Sequence, residues 1–143
     1  VTLPPLPRPG LRPRTVLLVA LGGLLGALLR VAVGQAWPVD LFPWSTLLVN
    51  VTGSAVLAFL PALAVVHRRP LLAPFLGTGV LGGYTTLSTA SSETVALGDG
   101  GRPLLALAYA GVTLGACLLA VGLVDRLSTL PQRAEFDRDE GDL

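Results

Sequence analysis

Charge is scarce in this chain, lysine and methionine are absent, and cysteine occurs once. Charged residues make up 13% of the 143 positions, against the about 25% usual for a soluble domain, so an ordinary water-facing globular surface is excluded. The single cysteine, Cys117, excludes an intrachain disulfide framework and a cysteine-based zinc site. A formal net charge of +1 gives no bulk attraction to nucleic acid. One histidine, His67, and no nucleophile–base or metal-ligand cluster argue against an enzyme. What the chain does have is apolar length: 52% of its residues are hydrophobic and the mean hydropathy is +0.70.

A helix needs about 20 apolar residues to cross the hydrocarbon core of a bilayer. Four stretches meet that length: residues 15–36, 44–66, 71–97 and 103–124. Pro38 and Pro43 separate the first two, Pro70 the second pair, and Gly98-Asp99-Gly100-Gly101 ahead of Pro103 the last. Connections this short force antiparallel neighbours. The expected fold is an all-α integral membrane protein of four transmembrane helices, with a channel-type bundle over residues 15–126. Residues 1–14 and the acidic stretch 127–143 read as disordered cytoplasmic tails. The first apolar stretch is too long for a signal-peptide core and reads as a retained span.

With no lysine, arginine alone carries the topology. Arg8, Arg12 and Arg14 precede the first span, Arg68 and Arg69 lie between the second and third, and Arg126, Arg133 and Arg138 follow the fourth. The other side has Arg30 and Arg102. The excess of positive charge in cytoplasmic loops places both termini in the cytoplasm of a multi-pass inner (plasma) membrane protein.

Polar residues within such spans need a partner that lipid does not offer. The first span carries Gly22-Gly23-Leu24-Leu25-Gly26-Ala27, with the four-residue spacing of small side chains that lets another backbone come close. Arg30 follows, either snorkelling to headgroups or facing a water-filled vestibule. Thr46 and Asn50, four apart in the second span, share one helix face as interhelical hydrogen-bond partners or as pore-lining donors. The third span contains Gly77-Thr78-Gly79-Val80-Leu81-Gly82-Gly83-Tyr84-Thr85-Thr86-Leu87-Ser88-Thr89, a poor helix interior. It reads as a mid-membrane break around an ion or as a tight packing bend. Glu93 lies at the interface or beside a conduction path. In the fourth span Tyr109, Thr113 and Cys117 form a column at intervals of four, as a polar track or as packing.

Taken together, Gly22 to Arg30, Ser45-Thr46-Leu47-Leu48-Val49-Asn50-Val51-Thr52-Gly53, and Gly82-Gly83-Tyr84-Thr85-Thr86-Leu87-Ser88-Thr89 followed by Glu93 resemble the CrcB/Fluc fluoride channels. The resemblance spans residues 15–124. It implies an antiparallel dimer of four-helix subunits that passively exports fluoride which entered the cell as neutral HF. It implies a sodium ion at the dimer centre on the backbone carbonyls of Gly82 and Thr85. By the same match, Asn50, Thr46, Ser88, Thr89, Tyr109 and Thr113 line the anion path, Arg30 its vestibule, and Glu93 its flank, with Cys117 at a usual serine position.

One departure stands out. The family's TTFSTF segment has two phenylalanines whose positive ring edges face the anion, and here those positions are Leu87 and Ala90. A homodimer of inverted subunits also requires balanced arginines, whereas eight of ten lie on one side here. The expectation is a heterodimer with an oppositely oriented homologue. The rival readings are a non-conducting structural partner subunit and a small proton-coupled multidrug transporter, the latter lacking its embedded carboxylate in the first span.

Overall fold

The structure, a computed structural model, describes residues 12–37 and 41–128. Pro38, Arg8, Arg133, Arg138 and most of both expected tails lie outside the described residues. Every regular element among those described is helical. Helix α1 runs Pro13–Ala36 and starts with proline in its first turn, where the missing N–H costs nothing. Helix α2 is Trp44–Phe59. A 3₁₀ turn, Leu60–Ala62, extends α2, and Pro61 within it cannot supply a helical N–H. Leu63 is then extended, so the short α3, Ala64–His67, is a separate element; the expected single helix over 44–66 ends early for this reason.

The glycine-rich stretch folds in pieces. Helix α4, Leu72–Pro74, leads into a π-helical segment, Phe75–Leu81, and then α5, Gly82–Tyr84. Thr85 and Thr86 are extended, with ψ of 156° and 115°, and α6, Leu87–Asp99, starts beyond them. Thr86 caps α6: its Oγ1 accepts from the Thr89 N–H at 3.1 Å. At its far end, the Gly101 N–H donates to Gly98 O and the Arg102 N–H to Leu97 O at 3.0 Å, with Gly101 at φ +75°. This is the Schellman closure, which needs a residue free to adopt the left-handed conformation. Helix α7, Pro103–Leu127, follows at once.

Three of these helical stretches are long and apolar enough to cross a membrane, Pro13–Ala36, Trp44–Ala62 and Pro103–Leu127. Helix α1 packs on the π segment and α5, while α7 packs on α2 and α6. The first contact is backbone to backbone. A Cβ on Gly22 would lie 2.6 Å from Phe75 O, one on Gly26 would run into Val80 O, and one on Gly83 into Gly23 O. The small-residue spacing of α1 therefore serves this seam, inside the chain. The side chains of Val49 in α2 and Tyr109 in α7 are fully buried. Tyr109 belongs to a cluster with Ala90, Leu97 and Ala106. Many large aliphatic residues point outward along α1 and α7, as on a surface that meets lipid.

Candidate functional site

Two polar arrangements sit within this apolar bundle. The first lies at the helix break. The Asn50 side chain donates from Nδ2 to Thr86 O at 2.9 Å and accepts from the Thr86 N–H at Oδ1 at 2.7 Å. The amide thus pairs with the peptide groups on either side of one extended residue, as a neighbouring strand would. An NH2 group carries two hydrogens, and these two bonds use only one of them.

That pairing has consequences for the backbone. In a continuous helix the Thr86 N–H would go to Gly82 O and the Thr89 N–H to Thr85 O. Here Asn50 takes the first and the Thr86 hydroxyl takes the second. The carbonyls of Gly82 and Thr85 are among the terminal acceptors left without an intrahelical donor. Two released, uncharged carbonyl oxygens are donors of the hard type that suits an alkali or alkaline-earth cation, so these residues fit the sodium ion expected there.

The second arrangement centres on Glu93. Its Oε1 accepts from Thr46 Oγ1 at 2.9 Å and its Oε2 from Tyr109 OH at 2.6 Å. Three helices, α2, α6 and α7, are tied through one carboxylate. The Phe42 and Tyr109 rings meet in a T-shaped contact with their centroids 5.3 Å apart, which helps to hold the phenol in place. Arg30, half-buried near the end of α1, lines a cavity of ≈ 230 Å³ with Ser45, Thr46, Thr89 and Glu93. Among the described residues, Arg30 forms no ion pair with that carboxylate.

A larger groove of ≈ 480 Å³ runs below, lined by Asn50, Thr86, Leu87, Ala90, Thr113 and Cys117 among others. Thr113 is buried, 8% exposed, with its hydroxyl near the Tyr109 phenol. Leu87 is 83% exposed and Ala90 is 8% exposed, so the two positions expected to carry aromatic edges present an outward aliphatic chain and a single buried methyl.

The structure therefore joins Thr46, Glu93 and Tyr109 in one network, sets Arg30 beside it, and places Asn50, Thr113 and Cys117 on one groove. Ser88 and Thr89 are exposed. Ser88 Oγ approaches Thr86 Oγ1 at 3.3 Å, and Thr89 Oγ1 accepts from Thr86 Oγ1 at 2.9 Å. Sequence reasoning missed the central place of Thr86, which it read only as one more hydroxyl in a run. The available signal was Thr86 three residues ahead of Thr89, the spacing of a helix N-cap. Ser54, Ser91 and Thr94, which also line the groove, were not singled out.

An apolar helical bundle with a buried polar column defines a helical membrane protein whose interior, not its surface, carries the chemistry. The sequence model of the CrcB-like protein, Camphor Resistance (CrcB) family matches residues 17–124, and the chain belongs to that family. It is 46% identical over 114 residues to the fluoride-specific ion channel FluC of Rhizobium meliloti, covering 74% of this chain and 89% of that protein. It is 44% identical over 121 residues to fluoride-specific ion channel FluC 2 of Nocardia farcinica, covering 80% and 85%. It is 47% identical over 116 residues to a FluC of Thermus thermophilus, covering 78% and 91%. These relatives are ion channels, not enzymes.

Proposed function

We propose that the chain is one subunit of a fluoride-selective channel that lets cytoplasmic fluoride leave the cell passively. The observation that carries this reading is the Asn50–Thr86 pairing at the helix break, with a second Asn50 amide hydrogen left over on the groove that Thr113 also lines. Fluoride is small and strongly hydrated, so a selective path must replace its water with fixed hydrogen-bond donors. Asn50 and Thr113 supply such donors on α2 and α7, and Tyr109, whose one hydroxyl hydrogen goes to Glu93, stands on the same face of α7 as Thr113. Thr46, Ser88 and Thr89 add hydroxyls near the break, Arg30 raises the anion concentration at the mouth, and Glu93 orients Thr46 and Tyr109.

In this reading the broken segment 71–97 is the third of four crossings, and its break sits at mid-membrane. The Gly82 and Thr85 carbonyls would hold sodium at the centre of an antiparallel dimer, where a cation lowers the barrier for an anion. Asn50 and the Thr86 cap keep those carbonyls free. Both chain ends lie in the cytoplasm of the plasma membrane, supported by Arg12, Arg14, Arg68, Arg69 and Arg126 at one end of the bundle against Arg30 and Arg102 at the other.

The same arginine bias supports a heterodimer with an oppositely oriented homologue that carries aromatic residues where this chain has Leu87 and Ala90. A second reading, a subunit that conducts nothing along its own groove and serves as a structural partner, is favoured by those two positions alone. Fluoride efflux from vesicles decides between them. The pure chain is expected to give little efflux and the chain with its homologue robust efflux. Efflux that depends on the homologue's donors but survives Asn50→Ala and Thr113→Val here would leave the structural role.

A further inference from the structure

Beside the Arg30 cavity lies another, of ≈ 370 Å³, that nothing above uses. Its walls include Trp37, Phe42, Trp44, Glu93 and Arg102, and it shares Gly34, Ser45 and Glu93 with the Arg30 cavity. Glu93 is therefore a common wall, with a guanidinium in the chamber on either side. The position of Arg102 is set by backbone: its N–H is bonded to Leu97 O in the closure that ends α6, and Pro103 begins α7 directly after it. Among the described residues Arg102 forms no ion pair. Among the described residues, Asp99, exposed on the same turn, and Glu93 are the acidic groups near it, and both Glu93 oxygens are already engaged by hydroxyl donors.

We propose that Arg102 makes this aromatic-walled cavity an antechamber that gathers small monovalent anions beside Glu93, without selecting among them. Selection belongs deeper, at Asn50 and Thr113, where donors are fixed and buried. Arg102 is exposed, so it acts through its field over a few ångströms of water, and its effect is screened by salt. The inference rests on the channel reading for its purpose, but its physical content does not need conduction.

The chain's two tryptophans, Trp37 and Trp44, both line this cavity, so indole emission reports on it. Iodide, an anionic quencher, and acrylamide, a neutral one, would be titrated against the full chain in lipid nanodiscs. At low ionic strength Arg102→Gln is expected to lower the iodide quenching constant about twofold, the loss vanishing near about 0.5 M salt. Acrylamide quenching should stay unchanged, and Arg102→Lys should keep the parent iodide value. An iodide constant indifferent to Arg102→Gln overturns the proposal. A parallel change with both quenchers also overturns it, since that would mean an opened cavity instead of a lost field. Fluoride efflux measured separately on this chain together with its homologue tests the channel reading, so the two fail independently.

Discussion

Asn50 spends its side chain on the two peptide groups that flank Thr86, and that use is worth more than ordinary interhelical adhesion. A buried hydrogen bond contributes about 1 kcal/mol net, but an orphaned buried partner costs about 1–3 kcal/mol. Asn50→Ala orphans the Thr86 N–H and leaves Thr86 O only its intrahelical donor at the start of α6, so a loss of about 1–3 kcal/mol is expected, read as a lower melting temperature in detergent. Asn50→Asp tests chemistry against shape. It can still accept from the Thr86 N–H, but it turns a carboxylate oxygen toward Thr86 O and adds negative charge to the groove. Fluoride flux through any assembly containing it should fall by more than about tenfold, a barrier change of about 1.4 kcal/mol. Tyr109→Phe separates packing from donation, because the ring keeps its place against Phe42 while Glu93 Oε2 loses its 2.6 Å donor. A monodisperse, folded protein with sharply reduced flux is the expected result. Native-like flux would remove the phenol from the path.

At the scale of elements, the α1 seam explains why four glycines, Gly22, Gly26, Gly79 and Gly83, face backbone. Gly26→Ala would drive a methyl into Val80 O and Tyr84 N, and Gly83→Ala into Gly23. Neither neighbour is a flexible side-chain end, so each change is expected to cost about 1–3 kcal/mol through overpacking. Gly34→Ala and Gly111→Ala meet nothing within 4 Å and should be neutral controls by the same melting measurement. The spacing of Gly22 and Gly26 announced a close approach. Which backbone approached was not legible, because small-residue spacing carries no address. That the glycine- and hydroxyl-rich stretch makes a poor regular helix was legible from its composition. The extended pair at Thr85–Thr86 was not, since that depends on Asn50, thirty-six residues away, capturing the Thr86 peptide.

For the whole molecule, eight arginines on one side and two on the other predict a single orientation in the membrane. Cysteine-labelling of a residue introduced into the 68–70 turn should therefore give one accessible side only, and equal labelling from both sides would reject fixed topology. Replacing Leu87 and Ala90 together with phenylalanine is expected to raise flux through the pure chain several-fold if the groove accepts both rings. The groove of ≈ 480 Å³ beside Ala90 leaves space for one of them. Sodium removal gives a further check. With an organic cation in place of sodium, an assembly that depends on the Gly82 and Thr85 carbonyls should lose flux.

Hydropathy sufficed for the all-helical membrane class and for the three long apolar helices, and the run of glycines and hydroxyls together with the Asn50 segment upstream sufficed for the family. Those features act locally, through transfer to lipid and through the backbone's own preferences, so they can be read along a line. The tertiary structure alone decided that Glu93 is held by Thr46 and Tyr109, that Asn50 pairs with one threonine between two helices, and that Arg102 shares a chamber with both tryptophans. Each of those joins residues far apart in the chain, and only packing says which distant groups will meet.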